Sequence, residues 1–220
     1  MKHLKQKRNG ENMKVFIFTG GSITPENIIE KYEKGDTVIA ADSGYLNAKK
    51  LGFPVDVLVG DFDSLGKENV PEGIETVELP AEKDLTDTQV ALDIAIKSGA
   101  RQIIIIGGLD GRLDHTLSNM AILRELSALH IYSYITDGQN RVRYINGGSD
   151  LIARSRFKYF SLIADDNVVK GVSVEGAKYP LKNAKLERSR QFAVSNEIVG
   201  NCALVSVKKG GLFIVESDLK

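Results

Sequence analysis

The chain has 220 residues, of which 42% are hydrophobic and 26% are charged, and its 29 basic residues balance its 29 acidic ones. This composition is typical of a globular protein with one large or two small domains, and it argues against a dedicated nucleic-acid binder, which normally carries a basic excess. A single cysteine, Cys202, excludes a disulfide within the chain and favours a reducing compartment. We interpret it as a small core residue. Because no stretch approaches the roughly 20 apolar residues of a membrane helix, we expect a cytoplasmic protein.

The first structured segment predicts a strand, a glycine turn and a helix. The apolar residues 15–18 lead into Gly20-Gly21, and Thr24-Pro25 is a pattern typical of a helix N-terminus, followed by apolar spacing to Tyr32. Strand, glycine turn and helix form half of a nucleotide-binding unit, whose helix N-terminus favours an anion. Two glycines at a strand end more often make only a tight turn.

Two further predicted strands end in carboxylates. Residues 37–41 lead into Asp42, and residues 55–59 lead through a glycine into Asp61 and Asp63. The carboxyl ends of parallel strands lie together, and in an extended chain Asp61 and Asp63 would point to the same face. Like charges that close repel unless a cation lies between them, and hard oxygen ligands favour Mg²⁺. The alternative is an acidic loop without a ligand.

A second acidic motif opens the next predicted helix. Thr86 is a candidate N-cap, Gln89 completes a capping box, and Asp87 in the first turn suits the helix dipole. These features explain the motif structurally without any ligand. The functional interpretation places Asp84 and Asp87 opposite the carboxylates of the preceding strand, which closes the metal site, with Lys83 as a counter-charge or phosphate contact.

The β-branched residues 103–106 predict a central strand buried on both faces. It ends in Gly107-Gly108, where backbone can approach a ligand closely. Arg112 could bind a phosphate through its guanidinium fork. Asp114 and His115 open the following helix, and beside this turn we interpret His115 as a site residue but not as a catalytic base.

From Gln139 onward the pattern changes to short alternating runs without helical spacing, which suggest a β-sandwich or barrel. Turn signals separate these runs at residues 146–148, 164–167, 175–176 and 209–211. The basic segment before Met13 has no apolar core and is not a secretory signal. The predicted organisation is a flexible extension over residues 1–12, an α/β domain over 13–137 and a β domain over 138–220.

Three motifs occur in a characteristic order: Gly60-Asp61-Phe62-Asp63-Ser64, then Lys83-Asp84-Leu85-Thr86-Asp87, then the glycine turn through His115 with Asn119. Asp42-Ser43-Gly44 precedes them and Ser195-Asn196-Glu197 follows. From about Met13 to its end the sequence resembles the thiamine pyrophosphokinase family, bacterial type, which moves a pyrophosphoryl group from ATP to thiamine.

This resemblance implies a fold and a set of site residues. The fold is a Rossmann-like three-layer α/β catalytic domain with a mostly parallel sheet, followed by a β-sandwich domain for thiamine binding and dimerisation. The implied assembly is a homodimer with active sites at the subunit interface. The implied Mg²⁺ ligands are Asp61, Asp63 and Asp87, which with Arg112 are the implied catalytic residues. The implied ATP site comprises Asp42, Lys83, Asp84, Thr86, Arg112, Asp114, His115 and Asn119.

The resemblance also implies that Ser195 and Asn196, from the partner subunit, border thiamine. Some relatives place a Trp at the thiamine ring, but this chain has no Trp. We therefore take Phe192 as the candidate for that position.

Two alternatives remain open from the sequence. One is pyrophosphoryl transfer to a different alcohol, such as a hydroxymethyl pterin, on the same kind of domain. The other is a nucleotide-binding module whose acidic pair is structural, which predicts ATP binding without turnover.

Overall fold

A computed structural model describes residues 13–62, 66, 70–80 and 84–218. The predicted extension over residues 1–12, the predicted magnesium ligand Asp63 and the predicted ATP contact Lys83 lie outside the described residues. The chain divides into two compact units, one of Met1–Ile122 with Leu129–Gly138 and one of Leu123–Ala128 with Gln139–Lys220. No helix in the described ranges is both long and apolar enough to cross a membrane.

The first unit alternates strands and helices around a parallel sheet. Its strands are β1 (Lys14–Phe18), β2 (Thr37–Ala41), β3 (Val57–Gly60), β4 (Glu75–Glu78), β5 (Gln102–Ile106) and β6 (Tyr132–Thr136). Its helices are α1 (Gly44–Lys50), α2 (Asp87–Lys97) and α3 (Leu113–Ala128), the last of which extends into the second unit. The strand order is β6-β5-β1-β2-β3-β4 and every neighbouring pair is parallel. All six carboxyl ends therefore lie along one edge of the sheet.

The central strands are buried on both faces, as their continuous apolar sequences predict. On one face the ring of Phe53 makes edge contacts with Phe16 and Phe18, at centroid distances of 4.9 and 5.0 Å. Tyr32 packs on the same ring at 6.5 Å. Edge-to-face pairs of this kind add to the free energy that burial of the rings already supplies.

The prediction of a helix after Thr24-Pro25 is wrong. The segment forms only a 3-10 turn (Pro25–Asn27), and Thr24 makes no side-chain capping bond. Its backbone N–H instead donates to the carbonyl of Asp137 at 2.8 Å. Ile28 is already extended, and it packs with Tyr32 against the apolar core of this unit. A tertiary backbone bond and burial of apolar side chains thus replace the helix that the local pattern favours.

The second unit contains five antiparallel strands. They are β7 (Asn140–Ala153), β8 (Tyr159–Ala164), β9 (Val168–Glu175), β10 (Leu181–Glu187) and β11 (Cys202–Ser217). One edge of β11 pairs with β7, while its other edge pairs first with β9 and then with β8. The strands enclose one apolar core, which includes Phe160, Leu162 and Ile214.

Two of the predicted turns in this unit are irregularities inside long strands. Residues 146–148 lie within β7 and residues 209–211 within β11, and the register shifts between Val207 and Gly211, opposite Gly148 and Asn146. Glycine sequences are typical of bulges as well as of turns, and here they let β11 change partners without ending. The turn predictions at residues 164–167 and 175–176 are confirmed, because β8 ends at Ala164 and β9 at Glu175.

The interpretation of Cys202 as a core residue is wrong. Its side chain is exposed at the first position of β11, whereas Ala203 and Val205 are fully buried. Because side chains alternate along a strand, the register that buries these two residues turns Cys202 outward.

A buried ion pair lies in the sheet of the second unit. Arg143 Nη2 lies 3.1 Å from Glu216 Oε2, and Arg143 Nη1 lies 3.1 Å from a carboxylate oxygen of Asp150. Arg141 lies 3.8 Å from the same Glu216 oxygen. Burial raises the pKa of Glu216, and the two arginines, which act in the opposite direction, do not fully offset it.

Candidate functional site

The glycine turn after β5 packs against the turn after β1. Gly108 N–H donates to the carbonyl of Gly20 at 3.1 Å. Gly107 has a φ of 97°, and a Cβ there would lie 2.6 Å from the carbonyl oxygen of Thr19, so this position requires glycine. Asn119 of α3 is buried and donates from Nδ2 to the carbonyl of Gly108 at 3.0 Å. Asn119 therefore supports the glycine turn through a side-chain bond.

Asp42 and Asp61 follow neighbouring strands. Asp42 N–H donates to the carbonyl of Val59 at 2.7 Å, and a Cβ on Gly60 would lie 3.2 Å from the Asp42 Cβ. Asp42 thus lies directly beside the residue that precedes Asp61, and both aspartates are half-buried. The two predicted carboxylate-bearing ends are adjacent, as the parallel topology requires.

The chain does not stay extended after β3. The strand ends at Gly60, and Phe62 has a φ of 62° with its side chain buried. A left-handed residue at Phe62 does not continue the extended strand on which the predicted same-face alternation depends. The extended geometry considered for this pair is therefore wrong at Phe62.

Helix α2 begins with the predicted capping box. Thr86 Oγ1 accepts from Gln89 N–H at 3.3 Å, and Gln89 Oε1 accepts from Thr86 N–H at 2.9 Å. Asp87 is the first helical residue and is half-buried, whereas Asp84 just before the cap is exposed. The hydroxyl of Thr88 lies 3.1 Å from that of Thr19, and both residues are buried. The first turn of α2 is thereby tied to the carboxyl end of β1.

No group of three or more His, Cys, Asp or Glu side chains that could hold a metal ion is assembled within the ranges that the structure describes. Of the three predicted magnesium ligands, Asp61 lies at the end of β3 and Asp87 at the start of α2, while Asp63 falls between the described segments. The described residues thus supply two half-buried carboxylates and the neighbouring Asp42.

Arg112 and Asp114 form a two-point ion pair before and at the start of α3. The guanidinium donates from Nη2 at 2.6 Å and from Nε at 3.2 Å to the two carboxylate oxygens. The hydrogen bond lowers the pKa of Asp114 and raises that of Arg112, although both side chains are largely exposed. His115 is exposed, and its backbone N–H donates to Asp114 at 3.0 Å. A phosphate that binds Arg112 would replace Asp114 as the partner of this fork.

Asn47 is a further residue of this site, and it was not predicted from the sequence. From the second turn of α1 its Nδ2 donates to the carbonyls of Thr19 and Gly21, at 2.9 and 3.0 Å. A Cβ on Gly44 would overlap the carbonyl of Phe18, and this close approach brings Asn47 within reach of the turn. No local pattern signals the contact, since it joins residues 28 positions apart.

In the second unit, Asn196 is buried, and its side-chain amide makes three hydrogen bonds to Glu197 and to Tyr179 of a neighbouring segment. Its Oδ1 accepts from the N–H groups of Tyr179 and Glu197, at 3.0 and 2.9 Å. Its Nδ2 donates to the carbonyl of Tyr179 at 2.8 Å. Ser195 is exposed, with a φ of 56°, and Phe192 is 54% exposed. The loop therefore presents Ser195 and Phe192 outward while Asn196 fixes its shape.

Models of two domain families match this chain in order. The thiamin pyrophosphokinase catalytic domain matches residues 29–135, and the thiamin pyrophosphokinase vitamin B1 binding domain matches residues 150–212. The first match contains Asp42, Asp61 and Asp87 and the glycine turn after β5. The second contains the loop of Ser195 and Asn196.

Proteins and crystal structures similar to this chain are also named thiamine pyrophosphokinase. Thiamine pyrophosphokinase from Bacillus subtilis is 29% identical over 211 residues, which is 91% of this chain and 97% of the relative. The crystal structure of thiamine pyrophosphokinase from Bacillus subtilis covers 94% of this chain and 100% of its own, with a TM-score of 0.85 and 25% identity. That of thiamin pyrophosphokinase from Geobacillus thermodenitrificans covers 94% and 99%, with a TM-score of 0.83 and 28% identity. The chain belongs to the thiamin pyrophosphokinase family.

Proposed function

We propose that this chain transfers the pyrophosphoryl group of ATP to the hydroxyl of thiamine, giving thiamine pyrophosphate and AMP in a Mg²⁺-dependent reaction. Transfer from ATP to thiamine is the known reaction of the family. The observation that carries the proposal is the ordered match of a catalytic domain and a vitamin B1 binding domain along one chain. The adjacent carboxylates and glycine turns at one sheet edge support it from the geometry.

We infer a Rossmann-like three-layer domain over residues 13–137, with the ATP and Mg²⁺ sites, and a β-sandwich domain over residues 138–220 for thiamine binding and dimerisation. Six parallel strands with helices between them support the first assignment. Five antiparallel strands around one apolar core support the second.

The donor set fits Mg²⁺. Asp61, Asp63 and Asp87 would hold the ion, and Asp42, whose Cβ lies beside Gly60, is the neighbouring carboxylate. These are hard oxygen donors, which Mg²⁺ prefers, and it commonly combines one or two of them with substrate phosphates. When bound, the ion neutralises charge that develops on the transferring phosphate oxygens.

The proposed ATP site lies along the carboxyl edge of the sheet. Its contacts are Asp42, Lys83, Asp84, Thr86, Arg112, Asp114, His115 and Asn119. Arg112 contributes its fork to the phosphates after leaving Asp114, and Asn119 contributes by holding Gly108 in place. Since the glycine turns carry no side chains, backbone N–H groups can approach the phosphates there.

The reaction needs positioning more than covalent chemistry from the protein. The thiamine hydroxyl oxygen attacks the β-phosphorus of ATP and forms the new P–O bond. The bond from that phosphorus to the oxygen bridging to the α-phosphorus breaks, and AMP leaves with the electron pair. The hydroxyl proton passes to a carboxylate of this edge. Arg112 stabilises the charge that builds on the phosphoryl oxygens.

We further propose a homodimer in which Ser195 and Asn196 of one subunit border the thiamine bound at the other. Phe192 is the candidate to pack on the thiamine ring. Exposed apolar side chains support an interface: Leu113 and Leu117 in the first unit are 69% and 57% exposed. In the second unit Tyr179 is 58% exposed. A second copy would remove such side chains from water.

The test is to supply ATP and Mg²⁺ with either thiamine or a hydroxymethyl pterin and to measure AMP and ADP. We expect AMP to form in equal amount to thiamine pyrophosphate, and only with thiamine. AMP release with the pterin alone would favour the alternative acceptor, and ATP binding without any AMP would favour a binding module. The variant Asp61→Asn should abolish turnover. The control Asp93→Asn, which alters an exposed carboxylate paired with Lys97, should retain it.

A further inference from the structure

All three carbonyls of the turn after β1 accept hydrogen bonds from other parts of the first unit. Asn47 Nδ2 binds the carbonyls of Thr19 and Gly21, and Gly108 N–H binds the carbonyl of Gly20. A side-chain amide nitrogen carries two hydrogens, so Asn47 uses its whole donor capacity on this turn. The turn is thus held from α1 on one side and from the β5 turn on the other.

The N–H groups of the two glycines in this turn differ from the carbonyls in having no hydrogen-bond partner among the described residues. Within the part of the chain that the structure describes, the N–H groups of Gly20 and Gly21 donate to no acceptor. Gly21 has a φ of 91°, a left-handed geometry that turns successive N–H groups toward one side. Because free carbonyl oxygens would repel a phosphate, engaging them in hydrogen bonds while the amides keep their donor capacity makes the turn suited to an anion.

We propose that Asn47 is a positioning residue for ATP. It does not touch the nucleotide, but it keeps the Thr19-Gly20-Gly21 turn in the orientation that offers its N–H groups to the phosphates. This inference rests on the proposed function, since it deepens the same ATP site. It assigns a role to a side chain of α1 that lies outside the three acidic and glycine-rich motifs.

The side-chain chemistry predicts a graded series. Asn47→Ala removes both donors, and the turn can then rotate its carbonyls outward. Asn47→Asp keeps the size but places carboxylate oxygens against two carbonyl oxygens, which repel. Asn47→Ser keeps a single donor. The expected order of ATP affinity is wild type, then Asn47→Ser, then Asn47→Ala, with Asn47→Asp weakest.

The experiment measures KM for ATP and for thiamine in these variants, with thermal unfolding alongside. The control is Lys50→Ala, since this side chain is exposed on the same helix. We expect the KM for ATP to rise about tenfold in Asn47→Ala, from the loss of two neutral hydrogen bonds that orient the turn. The KM for thiamine should stay within about twofold, because the change acts on ground-state binding of the nucleotide. Lys50→Ala should match the wild type.

A second readout separates this inference from the proposed reaction. Binding of α,β-methylene-ATP, which cannot transfer its pyrophosphoryl group, is measured by calorimetry in the wild type and in each variant. A protein that binds this analogue but releases no AMP from ATP in the presence of thiamine contradicts the proposed function, and the Kd for the analogue still tests Asn47. Unchanged Kd in folded Asn47→Ala and Asn47→Asp would overturn the inference. Equal rises in both KM values would also overturn it, since they indicate general loss of structure. If Asn47→Ala does not fold, Asn47→Ser carries the same test.

Discussion

We expect the side-chain amide of Asn196 to stabilise the loop that carries Ser195 and Asn196, and substitution of Asn196 tests this role. Its side chain makes three hydrogen bonds, two of which clamp the backbone N–H and carbonyl of Tyr179. Asn196→Ala removes all three. Asn196→Asp retains an acceptor for the two N–H groups and removes the donor to the Tyr179 carbonyl, which then faces a carboxylate.

The expected magnitude follows from the bonds lost. Three neutral hydrogen bonds at about 1 kcal/mol each give an upper value of about 3 kcal/mol. Water can reach part of this loop, since Glu197 and Ile198 are half-buried, so the expected loss of unfolding free energy in Asn196→Ala is about 2 kcal/mol. Asn196→Asp should lose about 1 kcal/mol through its single broken donor bond and the adverse charge.

The assay is urea unfolding followed by circular dichroism and by tyrosine fluorescence, since the chain has seven Tyr and no Trp. The control is Ser195→Ala, because the hydrogen bond that Ser195 makes in this loop is from its backbone N–H to Ser161. That variant should unfold within about 0.5 kcal/mol of the wild type while its KM for thiamine rises. An Asn196→Ala protein as stable as the wild type would refute the structural role of this amide.

Four further predictions follow. Thr86→Ala should lower the unfolding free energy by about 1 kcal/mol through loss of the capping box, measured by urea unfolding. Gly44→Ala should lower the melting temperature clearly, since its Cβ would overlap the Phe18 carbonyl. The raised pKa of Glu216 means that folding favours the protonated carboxyl. Its contribution to the free energy of unfolding is therefore complete below the ordinary pKa of Glu and is lost as pH rises through the raised pKa. Glu216→Gln should flatten this dependence of the unfolding free energy on pH. Arg112→Ala should cut turnover by at least about tenfold, and unchanged kinetics would remove it from the site.

The strands and their polar ends could be predicted because they depend on local signals. Continuous apolar runs mark the buried strands of the parallel sheet, and the residues that follow them, such as Asp42 and Asp61, then meet at one edge by topology alone. The capping box of Thr86 and Gln89 is likewise local, and it is confirmed. The acidic motifs in their order were specific enough to indicate the family, which the comparisons confirm.

The features that could not be predicted from the sequence depend on contacts between distant parts of the chain. Thr24 lost its predicted cap because its backbone bonds Asp137, far along the chain. Asn47 reaches the turn after β1 only because α1 packs closely on that strand. The glycines at residues 146–148 would suit a turn equally well, and pairing between β7 and β11 decides for a bulge.

The proposed reaction is tested by following the β-phosphorus of ATP. Purified protein is incubated with Mg²⁺, thiamine and ATP labelled at that phosphorus, and the products are separated. We expect the label to move to thiamine pyrophosphate while the nucleotide product is unlabelled AMP, and we expect removal of Mg²⁺ to stop the transfer. Labelled ADP as the nucleotide product, or full turnover without Mg²⁺, would contradict the proposed reaction.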